Sequence, residues 1–326
     1  MISEKFMKWA TGSFIVIFGL MSILLTCYIA LRTDEVWGYE IGSGMKNLKP
    51  DFAYKEDDSE ICIGLPENYD SGNIEISAIA EKNMISIIFK NAGEDFLGKK
   101  SIGGTGRYVD RIAYGYEQDE LRVDIITTAV TECSYEISED ELLMRLKSPA
   151  EVYEHIVLID PGHGGDDKGS VVYGIREDEV CYELACRLRD ELKGRGIGAY
   201  MTRGEEENPS EEERLAMTDM VSANALIQIH CNADAKTRVT NGAELFYNNR
   251  AAEPLAGAVY GCFTEGLSVA EPEIREMQGS DNTLVLLLRA GFLTNRQEAV
   301  NLENEEFQEE YAKSLADGIE EYFKNE

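Results

Sequence analysis

The chain reads as an α/β protein with a mostly parallel sheet flanked by helices, preceded by a small all-β domain and an N-terminal transmembrane helix. Three observations predict this: an uncharged run over residues 9–31, short alternating apolar runs from about residue 54 to 146, and strand-then-helix alternation after Ser148-Pro149. The corresponding segments are 1–35, 36–148 and 149–326.

The first run contains Phe14-Ile15-Val16-Ile17-Phe18 and Ile23-Leu24-Leu25. At about 1.5 Å per residue, about 23 helical residues cover roughly 34 Å, against a hydrocarbon core of about 30 Å. Lys5 and Lys8 precede it, while Arg32 is followed by Asp34 and Glu35. The positive-inside bias therefore favours an internal N-terminus, with the remainder of the chain extracytoplasmic and held to the cell membrane by a single pass. A cleaved signal peptide fits less well, because the apolar run is long and no small-x-small site follows it. Leu24-Leu25-Thr26-Cys27 is an imperfect lipoprotein box.

The second segment carries runs such as Ile61-Cys62-Ile63-Gly64-Leu65, Asn83-Met84-Ile85-Ser86-Ile87-Ile88-Phe89 and Leu121-Arg122-Val123-Asp124-Ile125-Ile126, separated by turn residues. Their period is that of half-buried strands. Gly103-Gly104-Thr105-Gly106-Arg107 lacks the Gly-Lys-Ser/Thr end of a phosphate cradle and is expected to be a loop. Across the whole chain, 61 acidic against 31 basic residues give a net charge of -30, which argues against nucleic acid as a partner. The 7 cysteines include no Cys-x-x-Cys pair. A Cys62–Cys133 disulfide requires that their two strands pair.

In the third segment Ile156-Val157-Leu158-Ile159 reads as a buried strand, and a helix from Glu177 to Lys193 places Val180, Leu184, Leu188 and Leu192 on one face. Ala199-Tyr200-Met201-Thr202 is a second strand. Ser210 and Glu213 form a capping box for the helix holding Leu215, Met217 and Val221, and Ala225 to His230 is a third strand. Strands at 242–247 and 284–288 and an amphipathic helix from Glu305 to Phe323 complete the pattern.

Two of the 3 histidines stand where strands end: His163 in Asp160-Pro161-Gly162-His163-Gly164-Gly165 and His230 in Gln228-Ile229-His230-Cys231-Asn232. Open α/β sheets bind ligands at the carboxyl ends of their strands, and imidazole suits a borderline-soft divalent ion such as Zn2+. Glu177, opening the helix after Gly174-Ile175-Arg176, supplies the third donor. Two imidazoles and a carboxylate are the ligand set of many catalytic zinc sites. His155 lies before the strand, at its other end, too far along it to join this ligand set.

From about Tyr153 onward the chain resembles the zinc-dependent N-acetylmuramoyl-L-alanine amidase family. The matching strings are Asp160-Pro161-Gly162-His163-Gly164-Gly165 with Asp167 and Gly169, Gly174-Ile175-Arg176-Glu177, Thr202-Arg203, Arg214, Ile229-His230-Cys231-Asn232-Ala233, Gly242-Ala243-Glu244 and Gly291-Phe292-Leu293-Thr294-Asn295. The resemblance implies Zn2+ on His163, Glu177 and His230, peptidoglycan as substrate, and cleavage of the amide joining N-acetylmuramic acid to the L-Ala of the stem peptide. It leaves a protein activator unidentified. The β-rich segment more diffusely resembles the AMIN-type domains that precede such amidases and bind the cell wall; a spacer role is equally open to it.

In the family the Glu of a Glu-x-Gly-Phe string takes a proton from water and passes it to the leaving amine. Here that string is Arg289-Ala290-Gly291-Phe292, and a guanidinium cannot act as a base. Three roles are open to Arg289: contact with a stem-peptide carboxylate, the mark of a catalytically silent wall-binding protein, or a side chain turned to solvent. Glu244 is the candidate partner for Arg289 and the candidate substitute base. A zinc peptidase acting on another bond would usually bring His-Glu-x-x-His, which is absent.

Overall fold

A computed structural model describes residues 45–48, 51–52, 59–93, 96, 102–104, 106–263, 268–277 and 283–326. The run at 9–31, with its reading as a membrane anchor, lies outside them. Among the described residues no helix is long and apolar enough to cross a membrane.

Strands β1 (Lys46–Leu48), β2 (Asp51–Phe52), β3 (Glu60–Gly64), β4 (Ile74–Ile79), β5 (Met84–Lys90), β6 (Ile102–Gly104), β7 (Val109–Glu117), β8 (Glu120–Thr127), β9 (Glu132–Ile137) and β10 (Glu141–Lys147) precede residue 148. They form two five-stranded sheets, ordered β1-β7-β8-β5-β4 and β2-β6-β3-β10-β9. Alternation does the sorting: Ile61 and Ile63 on β3 and Leu142, Met144 and Leu146 on β10 point inward, where they meet Ile85, Ile87 and Phe89 of β5 and Val123 and Ile125 of β8 in one core. Two expectations need correcting. Gly103 and Gly104 stand in β6, paired with β3, and not in a loop. Cys62 and Cys133 do not meet, because β10 runs between their strands, and both thiols are free.

The third segment contains α1 (Pro149–Val152), β11 (Ile156–Pro161), the hairpin β12 (Val171–Val172) and β13 (Ile175–Arg176), α2 (Glu177–Gly194), β14 (Gly198–Met201), α3 (Glu211–Val221), β15 (Ala225–Asn232), β16 (Glu244–Tyr247), α4 (Glu253–Cys262), β17 (Glu273–Ile274), β18 (Leu284–Phe292), α5 (Arg296–Leu302) and α6 (Glu305–Asn325). The sheet order is β14-β11-β15-β18-β16-β17, parallel except between β16 and β18. Every residue of β11 is buried, as expected of a parallel strand covered on both faces.

Chain direction and sheet order together create a switch point. From β11 the chain passes through α2 to β14 on one side, then through α3 to β15 on the other side of β11. The two connections leave a crevice at the carboxyl ends of β11 and β15, where His163 and His230 stand.

Helices α2, α4 and α6 bury Leu184, Leu188, Leu255, Val259, Leu315 and Ile319 against one face of the sheet. On the other face Met217 and Val221 of α3 pack with Ile156, Leu158, Tyr200, Leu226 and Val285, and Val130, from the β-rich segment, completes that layer. The Tyr200 hydroxyl donates a hydrogen bond to Glu132. Glu151, which caps α1 with Ser148, accepts one from Tyr108 at 2.6 Å. The β-rich segment thus supplies part of the cover of the α/β sheet.

Val130→Asp places a charge in this apolar layer and should lower stability by at least about 2 kcal/mol in denaturant unfolding. The hydrogen bonds from Tyr108 and then Ser148 pull the Glu151 pKa down from 4.5 to about 2. A depressed carboxylate stabilises above its unfolded-state pKa and loses that effect as pH falls through its folded value. The stability difference between wild type and Glu151→Gln should therefore be full above about pH 5 and fade as pH falls from there toward 2, read from melting curves.

Candidate metal centre

β11 runs out at Pro161, and the chain turns sharply through a His163 in left-handed conformation, φ 61°. Two arginines hold this turn. Arg203, fully buried, donates to the carbonyls of Pro161 (2.9 Å), Gly162 (3.0 Å) and Asp178 (3.0 Å). Arg214 donates to the carbonyls of Pro161 (2.8 Å) and His163 (2.7 Å) and pairs with the buried Asp160 carboxylate at 2.8 Å. Thr202 adds a 2.6 Å hydrogen bond to Asp160. Carbonyls that a sharp turn would leave bare are thereby satisfied.

Glu177, the first residue of α2, is 4% exposed and lies between the two histidines. Its Oε1 is 3.3 Å from His163 Nε2 and 3.4 Å from His230 Nδ1, and it accepts from the Cys231 amide at 3.0 Å. Its Oε2 accepts from the Ser170 amide at 2.9 Å. Burial works to raise the Glu177 pKa, but the hydrogen bonds from both imidazoles and both amides outweigh it and hold the carboxyl well below the usual range. The hydrogen bond to Glu177 in turn pushes the His163 pKa up to about 9 against burial, with Asp167 assisting.

The donor atoms of His163, Glu177 and His230 all lie within 4.8 Å of one another. His163 Nδ1 donates to Asp167 at 2.8 Å, since an ionised carboxylate only accepts; in the neutral ring this puts the lone pair on Nε2, the nitrogen on the Glu177 side, where it can ligate a cation. A Cβ on Gly162 would sit 2.3 Å from His230 Cε1, and one on Gly169 (φ 58°) 2.6 Å from His163 Cδ2. Only glycine leaves the rings room at these two positions. Two imidazoles, a carboxylate and an open side are a donor set that fits Zn2+.

Arg289 on β18 is the register neighbour of His230 on β15 and of Glu244 on β16. It donates to Asn232 Oδ1 at 3.1 Å and stands 3.7 Å from Glu244 Oε2, while Asn232 Nδ2 donates to Glu244 Oε2 at 2.9 Å. The side chain is therefore turned to Asn232 and Glu244. His155 stacks on Phe323 at 4.3 Å between ring centroids, away from the cluster. The roles of Asp167 and Asn232 escaped the reading of spacing, although an acid four residues after a turn histidine is a usable signal. The anchoring work of Arg203 and Arg214 has no local signal, because Arg203 reaches the turn from the end of β14 and Arg214 from α3.

Residues 157–321 match the model of a family described as N-acetylmuramoyl-L-alanine amidase. The chain is 27% identical over 178 residues to the uncharacterized protein YqiI of Bacillus subtilis, covering 51% of this chain and 84% of that protein. It is 29% identical to the germination-specific N-acetylmuramoyl-L-alanine amidase of the same organism, covering 52% and 79%. To its N-acetylmuramoyl-L-alanine amidase LytC the identity is 27%, covering 55% of this chain and 37% of the relative.

Gly162→Ala should drive the His230 ring from its place and weaken zinc binding by about 10–100-fold, the usual scale for a disturbed ligand shell. Competition of the purified protein against a chromogenic chelator reads this directly, and unchanged affinity would contradict the steric argument.

Proposed function

This chain belongs to the N-acetylmuramoyl-L-alanine amidase family, and on that premise we propose that it hydrolyses the amide between N-acetylmuramic acid and the L-Ala of the stem peptide, with Zn2+ on His163, Glu177 and His230. The observation that carries the reading is the convergence of these three donors at the switch point of the sheet. When bound, zinc supplies Lewis acidity toward a water and the scissile carbonyl. The chain's own residues do the rest. Asp167 fixes the orientation of His163, and the amides of Ser170 and Cys231 fix that of Glu177.

The proton step falls to Glu244 in this reading. Its carboxylate accepts a proton from the attacking water and returns it to the amine nitrogen of L-Ala as the C–N bond breaks. Support comes from the Asn232 amide, which presents its NH2 to Glu244 and its oxygen to Arg289. Arg289, standing where the family carries its glutamate, holds Glu244 rather than acting as base. The uncharged run at 9–31 supports attachment to the cell membrane with this site on the wall side. The β-rich segment is assigned to hold the enzyme at the wall.

Release of stem peptide from purified peptidoglycan by the zinc-loaded protein tests the reading. Wild type should cleave, His163→Ala should not, and Glu244→Gln should fall by about 10²–10⁴-fold in kcat, the range for a lost general base. An inactive wild type with activity gained in Arg289→Glu would overturn it in favour of a zinc- and wall-binding protein without turnover.

A further inference from the structure

The two-residue turn of the β12–β13 hairpin, Tyr173-Gly174, has positive φ at both positions, 59° and 88°. Such a turn selects Asn, Asp or Gly at its first position. A tyrosine there is strained, and this one is 42% exposed. Strain kept at an exposed position beside a site points to use.

Two exposed arginines gather on the Tyr173 ring. Arg238, from the loop after β15, has Cζ 5.8 Å from the ring centroid and donates to the hydroxyl at 3.4 Å. Arg296, just after β18, has Cζ 5.4 Å from the centroid. Among the described residues neither guanidinium forms an ion pair, although acids outnumber bases 61 to 31 in this chain. The hydroxyl of Tyr173 donates to the Thr294 carbonyl at 3.2 Å, the Asp234 amide to Thr294 Oγ1 at 3.1 Å, and the Leu293 amide to the Asn232 carbonyl at 2.8 Å. Three loops from the carboxyl ends of β11, β15 and β18 are so tied together on the rim that carries His163 and His230.

Resting on the amidase reading, we infer that Tyr173, Arg238 and Arg296 form a subsite for free carboxylates of the stem peptide. A guanidinium fork matches a carboxylate, and the aromatic ring holds both forks in place. The need is electrostatic: a chain of net charge -30 repels an anionic substrate unless cations are concentrated locally. The same forks match a phosphodiester of an anionic wall polymer. The shared rim favours the peptide, which extends from the scissile amide.

The test is equilibrium binding to the full zinc-loaded chain of stem peptide lacking the sugar, which offers no muramoyl amide to cleave. It is run with carboxylates free or converted to carboxamides, and beside a glycerol phosphate oligomer. Wild type should prefer the free acid by at least about 10-fold, and Arg238→Gln/Arg296→Gln should erase the preference with an unchanged melting temperature. Tyr173→Asn, which suits the turn better, should melt no lower than wild type and still lose preference. No preference in wild type, or one surviving the double substitution, would overturn the subsite. So would arginine-dependent binding of the oligomer alone. Cleavage of muramoyl peptide without stem-peptide binding would sink the subsite and leave the amidase reading standing; absence of both would sink the two together.

Discussion

Everything around the donor cluster depends on keeping one buried carboxylate ionised. Glu177 is almost fully covered, and a lone carboxylate in such a place would be neutral. Two imidazoles and two backbone amides surround it instead. Those four donors come from the turn after β11, the segment leading into α2, and the end of β15. The carboxylate therefore requires three chain segments to arrive together, and the switch point of the sheet is where they do.

The turn that delivers His163 is expensive in backbone terms, with a non-glycine residue at positive φ and several carbonyls facing inward. Arg203 and Arg214 make it tenable by donating to those carbonyls, and Asp160 balances the charge of Arg214. Burial pushes the Arg203 pKa down, and Arg214 adds to this. The site thus stands on a second layer of charge that touches no donor atom of the cluster.

The other face of the sheet explains how the β-rich segment belongs to the molecule. Val130 fills the layer over Ile156, Leu158 and Tyr200, and Glu132 receives the Tyr200 hydroxyl. An apolar face left bare over this area would favour association of exposed sheets. In this chain the all-β segment serves as part of the cover.

By itself the sequence determined the periods and the chemistry. Alternation in β3 and β10, the buried run of β11, the helical spacing of α2 and α6 and the Ser210–Glu213 cap are local patterns set by side-chain geometry over a few residues. His163, Glu177 and His230 were legible for the same reason, since each stands at a strand end or helix start. Tertiary structure alone decided which strands are neighbours. That choice separated Cys62 from Cys133, drew Gly103 and Gly104 into a strand, bridged Arg289 and Glu244 through Asn232, and brought two distant arginines onto Tyr173. Such contacts depend on sheet order and on packing across long sequence separations, and no local pattern encodes them.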